Sequence, residues 1–181
     1  RGLSRFRITL EYRGTAFVGW QVQPDGRSVQ AVVEAALLSL LGHPTRVAGS
    51  GRTDAGVHAL GQVAAFDTTT DRDARAIRDG LNAHLPEDVA CVDAEQVGDD
   101  FDPRRHAKRK LYRYAYLDRR PRSPLLADRV WHVKRPLDVD RMAAAGYVER
   151  KACPGDGRAQ FVAITEAGEA LLKEMWPAYR A

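Results

Sequence analysis

Cysteine is nearly absent from this 181-residue chain: there are two, Cys91 and Cys153, and they form no CxxC pair. That argues against a disulfide scaffold and a cysteine zinc site, and a reducing cytoplasm is the compartment that fits. No run of 18 or more apolar residues occurs, so no membrane-spanning helix is expected. The first residues, Arg1 to Arg7, lack the apolar core of a signal peptide. The glycines match neither the GxxxxGKS/T pattern nor a strand-linked GxGxxG, which disfavours nucleoside triphosphate and dinucleotide cofactors. The acids are scattered, so neither a paired-carboxylate glycosidase nor a two-metal site is indicated. No internal repeat is visible. What remains is 44% apolar and 29% charged, an ordinary soluble composition long enough for one domain, or one plus a small appendage.

Charge is abundant but unevenly placed. Residues 1–102 carry ten basic and fifteen acidic side chains, residues 103–135 twelve and two, and residues 136–181 six and seven. One short stretch therefore holds the whole basic excess, and Tyr112, Tyr114, Tyr116 and Trp131 are interleaved in it. Two readings stand side by side. The stretch is a solvated strand face, or it is a phosphate-binding stripe whose aromatics stack on bases.

Periodicity supplies the elements. Phe6, Ile8, Leu10 and Tyr12 alternate, so residues 5–12 read as a strand. Ser28 caps a helix over 29–41, where Val33, Leu37 and Leu41 recur at four-residue spacing. Short strands are expected at 45–49 and 61–67, and a helix over 71–83 that ends at Leu85-Pro86. Residues 88–97 read as a strand. Residues 109–117 give the clearest strand of all, with three tyrosines on one face and Leu111, Ala115 and Leu117 on the other. Residues 129–133 add another. Strands alternating with helices imply an α+β or α/β layer. The texture changes near 136–145: Asp138 caps a helix that Gly146 stops. A hairpin over 147–164 turns at Cys153–Gly157, and a helix capped by Thr165 carries Leu171, Leu172 and Met175 and ends at Pro177.

The loop Arg52-Thr53-Asp54 lies between a glycine-rich bend and His58. A carboxylate on a tight loop after a strand can act as base or nucleophile, or it can cap the turn with its own side chain. His58 has no second ligand nearby in sequence, so no metal role is assigned to it.

Two segments resemble a known family. Tyr12-Arg13-Gly14-Thr15-Ala16-Phe17-Val18-Gly19-Trp20-Gln21, with Gln23-Pro24 and Ser28-Val29-Gln30 after it, is similar to the opening signature of the tRNA pseudouridine synthase A family. Gly51-Arg52-Thr53-Asp54-Ala55-Gly56-Val57-His58-Ala59, followed by Gly61-Gln62-Val63-Ala64, is similar to that family's active-site motif. Leu81-Asn82, Leu85-Pro86 and Lys110-Leu111-Tyr112-Arg113-Tyr114 fit the same pattern, in the same order. The resemblance implies an α+β fold: an antiparallel-rich sheet with helices on one face, half of the pseudouridine synthase fold. It implies isomerisation of uridine to pseudouridine in the tRNA anticodon stem-loop, with no cofactor and no metal. By position, Asp54 matches the essential aspartate, Tyr112 the tyrosine that stacks on the uracil, and Arg52 the arginine that helps extrude the nucleotide. Arg104, Arg105, Lys108, Arg109 and Lys110 are then candidates to hold the RNA backbone, tRNA is the expected partner, and a homodimer is implied. Before the basic strand the family reads roughly Phe-His-Ala-Arg-Phe-Ser-Ala, where this chain has Phe101-Asp102-Pro103-Arg104-Arg105-His106-Ala107.

After about residue 142 the resemblance stops. Gly146 to Arg150, Asp156-Gly157-Arg158 and Thr165 to Leu172 resemble instead the wing and following helix of MarR-type winged-helix regulators, in which the wing-tip arginine reaches the DNA minor groove. The helix-turn-helix that would read the major groove has no counterpart here. The expected division is thus residues 1–142, and residues 143–181 as a winged-helix-like hairpin plus helix. A non-catalytic RNA-binding module is the first rival reading, and a DNA-binding regulator remnant the second. The net −1 of residues 136–181 ranks DNA behind RNA.

Overall fold

The computed structural model describes residues 2–135, 137–153 and 156–175. The chain forms two compact units, Arg1–Tyr112 and Arg113–Ala181.

The first unit is built around β1 (Ser4–Tyr12). Its alternation sends Phe6, Ile8, Leu10 and Tyr12 into the core and leaves Arg5, Arg7, Thr9 and Glu11 on the opposite face. Helix α1 (Val29–Leu41) begins where Ser28 Oγ accepts from Ala31 N, and ends where Gly42 takes φ +77°. The strand expected at 45–49 is the two-residue β2 (Ala48–Gly49). It is followed by β3 (Ala59–Thr68), α2 (Ala74–His84) and β4 (Val89–Val97). Asp73 caps α2 through Ala76 N, and the helix closes at Leu85 ahead of Pro86. The strands lie in the order β2-β3-β1-β4, every pairing antiparallel. Val29, Val33 and Leu37 of α1 and Ile77 and Leu81 of α2 pack on the Phe6–Ile8–Leu10 face. This is the expected α+β arrangement, a sheet with helices on one face.

The uncovered face is crossed by the chain leaving β4. Arg5 grips Asp67 with both ends of its fork at 2.7 Å and also donates to the carbonyls of Asp99 and Phe101. Pro103 is buried, Phe101 stacks on His106, and Arg104 Nε reaches Gly49 O at 3.4 Å. Residues 99–104 therefore strap the sheet from its β4 side to its β2 side.

One expectation fails. Residues 107–115 form no strand, and only Tyr116–Asp118 (β5) is extended and paired, parallel to β6 (Trp131–Val133). Alternation records two-sidedness, but a strand also needs a neighbour for its N–H and C=O groups. Leu111 is 86% and Tyr114 91% exposed, so neither face of this segment is covered.

In the second unit, Asp138 caps α3 (Val139–Ala144) through Arg141 N, and Gly146 follows at φ +76°. The hairpin β7 (Val148–Cys153) and β8 (Asp156–Ile164) is antiparallel, with Val148 opposite Ile164. Thr165 Oγ1 accepts from Gly168 N and donates to Gly146 O, starting α4 (Glu166–Met175). Pro154 and Gly155 of the expected turn, Pro177, and the side chains of Arg158, Leu172 and Met175 lie outside the described residues.

Candidate active site

The two signature segments meet. The loop after β2 is first pinned at its bend, where Ser50 N donates to Val63 O and Gln62 Nε2 to Gly51 O. It is then held from below and from the side. Tyr12 is 3% exposed at the end of β1, and its hydroxyl bonds Thr53 Oγ1 at 2.8 Å. Trp20 N donates to Thr53 O, and Gly56 N to Phe17 O. The fit tolerates no side chain at Gly14, whose added Cβ would overlap the Val57 carbonyl. At Gly49 a Cβ would lie 2.6 Å from the Trp20 indole. Backbone and buried hydroxyl thus fix Thr53, and Asp54 projects from it, exposed.

Arg27 anchors the outer loop. Its fork is bidentate on Asp88, at 2.5 and 2.8 Å, and its guanidinium lies 4.2 Å from the Phe17 ring centre. Hydrogen bonding from Arg27 holds the Asp88 carboxyl below its usual range, and hydrogen bonding from Arg5 does the same for Asp67. Burial pushes the Tyr12 phenol up against the opposing hydrogen bond from Thr53. The backbone N–H groups of Arg105 and Arg104 lower Asp102.

Two cavities open beside this loop. One of about 310 Å³ is lined by Asp54, Thr53 and Arg52 together with Val18 and Trp20. The other, about 670 Å³, includes Arg52, Trp20, Arg46 and Arg104. Trp20, Gln21, Val22 and Arg52 line both, so the cavities lie on either side of this stretch. A carboxylate at the mouth of a nucleoside-sized hollow, with a guanidinium beside it, can act on a base turned out of its stack.

The sequence-derived residues divide into two sets. Asp54, Arg52 and Arg104 line the cavities, and Lys110 Nζ lies 3.1 Å from where a Cβ added to Gly51 would stand. Lys108, Arg109 and Tyr112 are exposed and are not among the lining residues of either cavity, Tyr112 at 69%. Among the described residues no cluster of three His, Cys, Asp or Glu could hold a metal ion. Sequence reasoning missed the Tyr12 hydroxyl, Trp20 and Arg46 as parts of the site. Alternation along β1 marked Tyr12 only as a core residue, and nothing local marked Arg46.

Comparison with known proteins adds the lineage. Residues 8–104 match the family model described as tRNA pseudouridine synthase. The chain is 54% identical over 143 residues to tRNA pseudouridine synthase A of Myxococcus xanthus, covering 79% of this chain and 54% of that protein. It is 48% identical over 143 residues to the protein of the same name from Geotalea uraniireducens strain Rf4, covering 79% and 59%. It is also 48% identical over 147 residues to that of Rhodopseudomonas palustris strain HaA2, covering 81% and 60%. The chain therefore spans little more than half the length of these relatives.

Proposed function

Because the chain belongs to the tRNA pseudouridine synthase family, we propose that it carries the aspartate-bearing half of such an enzyme and isomerises uridine to pseudouridine in the tRNA anticodon stem-loop. The observation that supports this is Asp54, standing exposed at the smaller cavity on a loop whose preceding residue is locked by Tyr12 and Trp20. In this reading the target uridine is everted into that cavity and the Asp54 carboxylate acts on it as base or nucleophile. The bond from N1 to the ribose carbon breaks, the uracil turns, a bond from C5 to the same carbon forms, the C5 proton leaves, and N1 takes up a proton, so substrate and product have the same atoms. The step is an isomerisation, so no oxidant or reductant enters its balance. Arg52, at the partition between the cavities, fills the gap left in the RNA; stacking of Tyr112 on the uracil is carried by the resemblance alone, because Tyr112 lines neither cavity. Arg104, Lys108, Arg109 and Lys110 take the phosphates. Two copies of the chain share one tRNA in the cytoplasm, and residues 143–181, which share the second compact unit with residues 113–142, are a winged-helix-like hairpin plus helix.

A second reading is favoured by the exposure of Asp54. An unshielded carboxylate is poorly aimed, and a misplacement of about 1 Å costs on the order of a hundredfold in rate. An RNA-binding module with slow turnover accommodates that. Incubation with an anticodon stem-loop RNA followed by nucleoside analysis tests the proposal. Pseudouridine should accumulate with the wild-type chain and be absent with Asp54→Asn. RNA that binds equally to both and yields no pseudouridine with either would leave the module reading.

A further inference from the structure

A strand with one covered face ordinarily turns its polar side chains to water. The ribbon of β5 and β6 does the reverse. Its parallel register sets Tyr116 opposite Trp131 and Leu117 opposite His132. Opposed residues share a face, and successive residues alternate between faces. Leu117 and His132 are half-buried, whereas Trp131 is 71% and Tyr116 38% exposed. Two aromatic side chains therefore stand on the open face. The ribbon beneath them is fixed by its own contacts. Trp131 N donates to Ala115 O at 2.8 Å, His132 Nε2 to Arg119 O at 2.8 Å, and Leu137 N to the Asp118 carboxylate at 2.9 Å. Arg119 Nε donates in turn to Pro121 O at 3.0 Å and ties the loop that follows β5.

Whatever covers these rings must also suit a cationic setting. Residues 113–135 carry seven basic and two acidic side chains, and one of those acids, Asp118, already accepts from Leu137 N. The core of a protein–protein interface is depleted in charge. A single-stranded nucleic acid instead joins flat bases to a charged backbone, and aromatic rings set among Lys and Arg meet both. We propose that Tyr116 and Trp131 form a stacking platform for an unpaired base of the RNA. The platform lies wholly within the second compact unit, whereas Asp54 belongs to the first, so it is a contact additional to the site of reaction. The proposal rests on the RNA reading above. It adds that part of the affinity is not ionic.

The test separates stacking from charge. Affinity for an anticodon stem-loop RNA is measured over a range of salt concentrations for wild type and Trp131→Ala. Losing one stacked base should weaken binding by about tenfold. Stacking releases no counterions, so the slope against the logarithm of salt concentration should stay that of wild type. Trp131→Phe keeps an aromatic face and should retain most of the affinity. Tryptophan emission gives an independent readout, since Trp20 is buried. RNA should quench the wild type, and that quenching should be largely lost in Trp131→Phe. Wild-type affinity in Trp131→Ala, or a loss that comes with a shallower salt slope, would overturn the platform and leave the pseudouridine synthase reading intact. Altered self-association of Trp131→Ala with unchanged RNA affinity would give this face to a second copy and overturn it as well. Failure of the wild type to bind RNA would overturn both. If Trp131→Ala does not fold, the emission comparison decides: equal quenching in wild type and Trp131→Phe overturns the platform.

Discussion

Single residues decide how the carboxylate is presented. Gly14 lies against the Val57 carbonyl, three positions past Asp54, with no room for a methyl group. Gly14→Ala must therefore push the loop outward. Its product formation should fall by about a hundredfold, the cost expected of a displacement near 1 Å, while the RNA binding proposed for residues 104–110 should change little. A pseudouridine assay run beside a binding assay checks this split. Asp88 and Asp67 act on stability through protonation. Their folded-state pKa values are depressed by Arg27 and Arg5, so the unfolded chain takes up protons first as pH falls. Their contribution is complete above the unfolded carboxylate value, near about 3.9, and is lost as pH drops below it. Thermal melts between about pH 2 and 5 should show this decline, and Asp88→Asn should flatten part of it. Cys91 is the opposite case: burial pushes its thiol up to about 11. In a Cys153→Ser background, thiol reagents at neutral pH should react with it only after unfolding.

At the scale of elements, the sequence was readable wherever a local signal coincided with a local cause. Ser28 and Asp138 each head the helix expected of them, because a cap needs only its own turn, whereas the helix expected over 71–83 starts at Ala74 behind Asp73. The motif pair Leu81-Asn82 acquires a physical meaning. Leu81 is buried in the core, and Asn82 bonds both N–H and C=O of Cys91 at 2.8 Å, tying α2 to β4. Asn82→Ala leaves both groups unpaired, at a cost on the order of 2 kcal/mol. The melting temperature should fall by about 4–8 °C. The segment 109–117 is a strand only at its end, where Tyr116 and Leu117 pair with Trp131 and His132; its alternation is real, but residues 109–115 pair with no strand among the described residues. Register and pairing are non-local, and no window of one segment contains them. The site shows the same division. The cavity-lining Arg52 and Asp54 lie within one short motif, whereas the Tyr12–Thr53 bond joins residues 41 positions apart. The Arg104–Gly49 contact spans 55.

For the molecule as a whole, the basic excess of residues 103–135 predicts how RNA is held. Binding should fall linearly with the logarithm of salt concentration, with a slope of about −0.7 per phosphate neutralised on single-stranded RNA. Lys108→Ala and Arg109→Ala should each reduce that slope by about one contact and leave sequence preference unchanged. The central claim is narrower: the Asp54 carboxylate acts on a uridine whose C5 position loses its hydrogen. Tritium release from tRNA labelled at uracil C5 measures that loss directly. Release by the wild-type chain should be slow but sustained, with none above background from Asp54→Asn. Equal release by the two proteins would contradict it.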